Sequence, residues 1–157
     1  MTLVIRGRTL AAILGVLLAL ATAGQAVRWH DRSTASRLLA EVEVLSLEAA
    51  RSGQVPAPLI ASNLQALRRA APLDPVEVGI PIARGSQYLL LSRAAPAIEA
   101  YQESLALEPR AEGYLDLGRA QWLAGQTDEA RRSFGLAVRL DPHFASLVPP
   151  GGLPEGR

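Results

Sequence analysis

The stretch that decides the fold runs from Arg110 to Pro142 and reads RAEGYLDLGRAQWLAGQTDEARRSFGLAVRLDP. Apolar residues recur at helical spacing on both sides of Gly125, the pattern of two amphipathic helices joined by a turn. The small residues Gly118 and Ala130 leave room for the two helices to approach closely. Pro142 restricts the residue before it and therefore ends the second helix. The stretch predicts one antiparallel helix pair.

A short motif of leucine, an acid and proline ends this stretch and recurs twice upstream. The three copies are Leu73-Asp74-Pro75, Leu107-Glu108-Pro109 and Leu140-Asp141-Pro142. Their prolines are therefore 34 and 33 residues apart. A fixed period of this length is typical of repeat proteins made of stacked helix pairs. We predict helix pairs over residues 76–109 and 110–142, and a degenerate pair over residues 33–75.

These motifs resemble the tetratricopeptide repeat, in which an aromatic residue, Leu-Gly, alanine, phenylalanine and proline follow one another at fixed distances. In residues 110–142 the matching positions are Tyr114, Leu117, Gly118, Ala130, Phe134 and Pro142. In residues 76–109 they are Gly85, Tyr88, Ala97, Tyr101 and Pro109, with departures at Pro81 and Arg84. The resemblance implies an all-α fold, a short α-solenoid of two to three antiparallel helix pairs that serves as an interaction module.

Composition narrows the function further. The chain has 157 residues, a net charge of +1, no cysteine and two histidines. Without cysteine, disulfides, thiolate zinc sites and cysteine nucleophiles are excluded. No basic stripe of the kind that binds nucleic acid occurs. His30 and His143 lack carboxylates at metal-ligand spacing, and no nucleophile elbow or phosphate-binding glycine loop is present. We therefore predict a non-catalytic protein without metal or cofactor.

The N-terminal segment is apolar and free of charge between Arg8 and Arg28. Residues 9–27 as a helix would span about 28 Å, close to the hydrocarbon thickness of a bilayer. A cationic tail, residues 1–8, precedes this segment and a juxtamembrane segment, residues 28–32, follows it. Small residues before Gly24 and Val27 also fit signal cleavage sites. The aromatic Trp29 beside Arg28 suits a membrane interface and favours a retained anchor.

Four small residues on one face of this segment indicate a helix-packing surface. They recur every four positions: Ala11, Gly15, Ala19 and Ala23. Such a stripe allows a second transmembrane helix to approach closely. All 16 basic residues are arginine, which is typical of a GC-rich bacterial coding sequence. We expect a single-pass protein of a bacterial inner membrane with its domain in the periplasm, since a short cationic tail resists translocation.

The family resemblance also implies a partner-binding groove lined by the first helix of each pair. The residues that match this face are Ile82, Ser86, Leu89, Leu90, Glu112, Leu115, Arg119, Trp122 and Leu123. They are mostly apolar, and tryptophan and arginine are enriched at binding hot spots. The lysine-asparagine clamp with which some members hold a free carboxylate is not matched. We therefore expect an apolar segment or helix as ligand, unless Trp122 packs within the fold.

The end of the chain, residues 143–157, is rich in proline and glycine and predicts a flexible tail. Phe144, Leu147 and Val148 are candidates to cover the exposed end of the solenoid, as are another copy or a partner. Two functions stay open. One is a scaffold or accessory subunit of a membrane-bound complex. The other is a secreted, soluble periplasmic adaptor or chaperone released after Ala23 or Ala26.

Overall fold

The computed structural model describes residues 2–53 and 55–153, with side chains from Ile13 onward. This part of the chain is all-α. The α-helices are α1 (Thr2–Arg51), α2 (Ala57–Ala70), α3 (Gly79–Leu90), α4 (Ala94–Leu107), α5 (Ala111–Leu123) and α6 (Thr127–Leu140). A 3₁₀ helix, Pro142–Leu147, follows them. Each helix packs against the next one in sequence, so α1 to α6 form three stacked antiparallel pairs. This is the predicted solenoid.

The second and third pairs each pack one glycine against one aromatic ring. A Cβ atom added at Gly85 would lie 2.7 Å from the ring of Tyr101, and one at Gly118 would lie 2.6 Å from the ring of Phe134. Both rings are almost fully buried. Only glycine admits the facing helix this closely, which explains the two glycines of the repeat motif.

The first pair uses different side chains for the same purpose. Val42 on α1 and Leu67 on α2 belong to one buried cluster, which contains branched side chains and no aromatic ring. Ala35 and Ala49 are also buried and flank Val42 at seven-residue intervals. This spacing keeps one face of α1 turned toward the domain.

Helix α1 is continuous, and the juxtamembrane segment of residues 28–32 is part of it. No glycine or proline occurs between Gly24 and Gly53, so nothing in this stretch interrupts the helix. Its 50 residues correspond to a length of about 75 Å. The apolar side chains from Ile13 to Val27 are exposed, and contacts with the domain begin near Asp31. One helix therefore forms both the apolar segment and the first wall of the solenoid.

Within residues 13–53 and 55–153, α1 is the one helix that is long and apolar enough to cross a membrane. The side chain of Ala11 lies outside these residues. Ala19 and Ala23 are exposed, and nothing lies within 4 Å of a Cβ added at Gly15. The three described residues of the predicted packing stripe are thus not covered by any other described part of the chain.

The tail covers the end of the solenoid instead of extending freely. Phe144 and Val148 pack against the buried cluster around Phe134, whereas Leu147 stays exposed. Gly152 is buried, and the Arg131 side chain donates a hydrogen bond to the Gly151 carbonyl at 3.0 Å. Residues 143–153 thus provide the cover for which Phe144 and Val148 are candidates in the sequence, and no further repeat follows α6 in the described residues.

Candidate partner-binding groove

The first helices of the first two pairs, α1 and α3, enclose an open cavity of about 490 Å³. Its lining residues are Val42, Glu43, Ser46, Leu47, Gly79, Ile82, Ala83, Ser86 and Gln87. Most of them are apolar or uncharged, and Glu43 carries the one charge among them. The cavity lies where the family's binding groove is expected, on the side formed by the first helix of each pair. We call it the α1–α3 groove.

Three buried or half-buried polar side chains brace the floor of this groove. Asn63 on α2 donates to Ser46 on α1 and to Gln87 on α3, both at 3.2 Å. Gln87 donates to the same Ser46 hydroxyl at 3.1 Å. A fully satisfied network of this kind fixes one arrangement of its helices, because any slip would leave a buried amide unpaired. The network sets the position of α1 against α2 and α3.

Ser86 lines the wall of the groove, and its hydroxyl is held by hydrogen bonds within the fold. Its Oγ donates to the Ile82 carbonyl at 3.1 Å and lies 3.2 Å from the Tyr101 hydroxyl. Since the serine proton is used on the carbonyl, the tyrosine donates to the serine oxygen. Burial is the largest cause that raises the pKa of Tyr101, to about 12. Tyr101 is therefore a neutral structural donor at neutral pH.

The nine predicted groove residues do not lie on one surface in the structure. Ile82 and Ser86 line the α1–α3 groove. Leu89 is half-buried in the cluster around Tyr101, whereas Leu90 is half-exposed beside the α3–α4 turn. On α5, Glu112, Arg119 and Leu123 are exposed, and they are not among the residues that line the α1–α3 groove.

Leu115 is the exception among the predicted residues, because it does not face a groove at all. It is 3% exposed and belongs to the buried cluster of Phe134, against which the tail residues Phe144 and Val148 pack. No further repeat follows α6 in the described residues, so the tail folds over this end of the solenoid. The prediction that Leu115 is available to a partner is corrected on this ground.

Trp122 and Arg119 are partly occupied by contacts within the fold. The Trp122 ring lies 6.3 Å from that of Phe134, centroid to centroid, and keeps about a third of its surface exposed. Arg119 donates to the Asp116 carboxylate at 3.0 Å. Burial raises the pKa of Asp116, and Arg119 partly counteracts this shift. On α3, Arg84 is paired with Glu103 of α4. These arginines are not free cations aimed into a groove.

The groove residues on α1 were not predicted from the sequence. Val42, Glu43, Ser46 and Leu47 lie in the degenerate repeat, which lacks the glycine motif that marks a first helix. The seven-residue spacing of Ala35, Val42 and Ala49 is the signal that would have placed them. Among the described residues no group of three histidine, aspartate or glutamate side chains could hold a metal ion.

No protein-family model matches the chain, and no curated protein matches it in sequence. Its fold is similar to the first TPR domain of Spaghetti (RPAP3) bound to the HSP90 peptide SRMEEVD. The two share 19% identity at a TM-score of 0.61, covering 71% of this chain and 82% of that one. A second similar structure is TTC0263, a thermophilic TPR protein of Thermus thermophilus, where TPR stands for tetratricopeptide repeat.

That second likeness has 26% identity and a TM-score of 0.53, and it covers 57% of this chain and 46% of that one. The chain therefore matches less than half the length of TTC0263. Both likenesses agree with the stacking of α1 to α6 in helix pairs. By its repeat motifs, its helix pairs and these neighbours, the chain is a tetratricopeptide-repeat-like protein.

Proposed function

We propose that this protein is a non-catalytic scaffold or accessory subunit of a membrane-bound complex, with its helical domain on the periplasmic face. The observation that carries the proposal is the α1–α3 groove, an open and largely apolar cavity next to an apolar helix segment. Such a module brings a partner close to the membrane without changing it chemically. The tetratricopeptide-like fold supports a role in protein–protein interaction.

The lining of the groove indicates what kind of ligand fits. Val42, Leu47 and Ile82 provide apolar contact area, and Glu43 puts a negative charge at the rim. The neighbour described above binds an acidic peptide, SRMEEVD. No cation lines the groove of this chain among the described residues, so an acidic terminus would meet Glu43 without a counter-charge. An apolar helix or segment, with a basic residue opposite Glu43, fits better.

Retention of the apolar segment as an anchor is part of the proposal. It is supported by the uninterrupted helix α1 and by the exposed Trp29 next to Arg28, a combination favoured at membrane interfaces. The open face with Gly15, Ala19 and Ala23 would let a partner's membrane helix pack closely. The anchor and the groove would then engage the same complex at two points.

A secreted adaptor is the second candidate, and one observation favours keeping it. Contacts between α1 and the rest of the domain begin near Asp31, after both cleavage sites. Cleavage after Ala23 or Ala26 would therefore remove none of the domain's own contacts. Intact-mass measurement of the mature protein separates the candidates, because cleavage removes the first 23 or 26 residues.

The groove is tested by photo-crosslinking in membranes, with a photoreactive residue at Ile82 and, as a control, at the exposed Gln102 of α4. We expect a specific adduct from position 82 alone. In parallel, Ile82→Arg should abolish co-purification of that partner in mild detergent, whereas Gln102→Arg should not. Identical adducts from both positions, or a partner unaffected by Ile82→Arg in a folded protein, would count against the groove.

A comparison with Arg119→Ala and Trp122→Ala tests whether the α5 surface extends the binding site. Arg119 is paired with Asp116 and Trp122 packs partly on Phe134, so each variant loses an internal contact as well as exposed surface. We expect weaker co-purification than in the unaltered protein, but a smaller loss than with Ile82→Arg. Full recovery of the partner with both variants would restrict the binding site to α1 and α3.

A further inference from the structure

A second, smaller cavity lies where α1 leaves the apolar segment. It has a volume of about 210 Å³ and is bounded by α1 on one side and the α2–α3 turn on the other. Its lining residues are Arg28, Asp31, Arg32, Leu73, Asp74, Pro75 and Val76. Two arginines and two aspartates therefore surround one small space. We call it the juxtamembrane cavity.

Asp74 in this cavity has an unfilled hydrogen-bonding capacity. The residue is 9% exposed, and its Oδ1 is buried without a hydrogen-bond partner in the described part of the chain. The nearest cation is Arg32, whose Nε lies 3.7 Å from Oδ2, too far for a hydrogen bond. A buried, unpartnered carboxylate oxygen is costly, and a donor from outside the described residues would remove this cost.

The acids at the same position of the other two repeat-ending motifs do not share this state. Glu108 accepts a hydrogen bond from Arg110 at 2.6 Å, which lowers the pKa of its carboxyl. Asp141 accepts from the backbone N–H of His143 at 2.9 Å, which lowers the pKa of that carboxyl as well. Asp74 is thus the exception among three equivalent positions, and it is the one that faces α1.

The cavity lies at the level expected for lipid headgroups if α1 is anchored. Arg28 directly follows the last residue of the apolar segment, and Arg32 is one helical turn, about 6 Å, further along the axis. Val76, which lines the cavity, is 60% exposed, and Trp29, next to Arg28 on α1, is 73% exposed. Aromatic and basic residues in this arrangement are typical of the membrane interface.

We propose that the juxtamembrane cavity binds the headgroup of a zwitterionic phospholipid with a primary ammonium group, the phosphatidylethanolamine class. Arg28 and Arg32 pair with the phosphate, and the Asp74 carboxylate accepts from the ammonium group. Asp31 adds a second negative charge, so the cavity is neutral overall and complements a zwitterion better than an anionic lipid. The nearby Glu77 does not compete, since its Oε1 accepts from the Gly79 N–H at 3.1 Å. This inference rests on the proposed retention of the anchor.

The test is lipid binding to the full chain purified in detergent, followed by native mass spectrometry. Phosphatidylethanolamine, phosphatidylglycerol, free phosphoethanolamine and inorganic phosphate are titrated separately. We expect phosphatidylethanolamine to bind most tightly, because both the headgroup and the acyl chains find contacts. Free phosphoethanolamine that binds as well as the lipid would overturn the membrane source of the ligand.

Three variants resolve the roles of the charges. Arg32→Gln should weaken binding of both phospholipids about tenfold, the effect of losing one charge-assisted hydrogen bond. Asp74→Asn should weaken phosphatidylethanolamine binding by a similar factor and leave phosphatidylglycerol unchanged. Arg37→Gln, also on α1 but outside the cavity, is the matched control. Thermal unfolding of each variant confirms that it is folded.

The two proposals can fail separately. If Arg32→Gln and Asp74→Asn bind both lipids as Arg37→Gln does, the lipid site is overturned while the anchor and the groove stand. If the mature protein lacks its first 23 or 26 residues, the anchor fails, and the placement of this cavity in the headgroup layer fails with it.

Discussion

The first and the last helix pair solve the same packing problem with different side chains. In α5–α6 a bare glycine backbone at position 118 receives the Phe134 ring, whereas in α1–α2 the branched Val42 shares a cluster with Leu67. The last pair has one buried polar cross-link, from Ser133 to Gln121 at 2.7 Å, and the first pair is tied by the three-membered network around Asn63. The comparison teaches that a repeat can lose its sequence motif and keep its architecture. Other apolar side chains then fill the space between the helices, and hydrogen bonds between polar side chains fix the position of one helix against the other.

The largest expected effect comes from placing a valine at the glycine position of the last pair while its aromatic ring stays unchanged. Gly118→Val places a Cβ 2.6 Å from the Phe134 ring and should lower the free energy of unfolding by about 3 kcal/mol. Urea denaturation of the full chain in detergent measures it. Gly24→Val is the matched control, because nothing lies within 4 Å of a Cβ there.

Replacing both residues of the glycine–aromatic pair tests whether the first and last helix pairs are packed in equivalent ways. Gly118→Val combined with Phe134→Leu reproduces the valine–leucine pair of α1–α2 and should regain most of the lost stability. The double variant would then be more stable than the sum of the single effects, a positive coupling in a double-mutant cycle. Strict additivity would mean that Val42 and Leu67 are not an equivalent of the glycine–aromatic pair.

The middle pair carries a tyrosine at this position and should therefore respond to alkaline pH. The pKa of Tyr101 is raised to about 12, so folding keeps the phenol neutral while the unfolded chain ionises near pH 10. Stability that is fully present below pH 10 is lost as pH rises toward 12, by about 2 kcal/mol. Tyr101→Phe should abolish this decline in the unfolding free energy, whereas Ser86→Ala should retain it.

A smaller loss of stability should distinguish the side-chain hydrogen bonds of the first helix pair from those of the last helix pair. Asn63→Ala removes two hydrogen bonds and leaves the side-chain amide oxygen of Gln87 without this donor. The free energy of unfolding should fall by about 1.5 kcal/mol. Gln121→Ala removes the single bond from Ser133 and should cost less. Gln102→Ala, on an exposed position of α4, serves as the reference in the same thermal unfolding series. A larger loss for Gln121→Ala would reverse the order.

The smallest effect concerns the tail that covers the last pair. Val148→Ser should destabilise the α5–α6 end by about 1 kcal/mol, since Val148 is only partly buried against the Phe134 cluster. Amide hydrogen exchange would accelerate in α6 and stay unchanged in α2. Leu147→Ser, at the exposed last position of the 3₁₀ helix directly before Val148, should leave both rates unchanged. Equal acceleration in α2 and α6 would show that the tail does not act locally.

The sequence predicted what depends on local spacing. The period of the prolines and the glycine–aromatic positions placed the second and third helix pairs, because each signal acts within one pair. The change in composition at Trp29 does not end the helix, because no glycine or proline occurs there, and the juxtamembrane residues 28–32 are part of α1.

The contacts that the sequence did not predict join distant parts of the chain. Ser46 and Gln87 are 41 residues apart, and no periodicity connects them. Leu115 is buried in the cluster that also contains Phe134 of α6, a contact between helices that the groove pattern of α5 did not indicate. The partner and the orientation of the groove stay predictions for the same reason, since they depend on molecules outside the chain.

The uninterrupted α1 also has a mechanical consequence. From Val27 to Arg51 the helix extends about 36 Å beyond the apolar segment, with no hinge residue to absorb a change of angle. In an anchored chain, a tilt of the membrane portion by about 20°, a common value for membrane helices, would swing the far end sideways by about 12 Å. The solenoid would move with it as the arm of a lever, so a rearrangement within the bilayer would reposition the partner held in the groove.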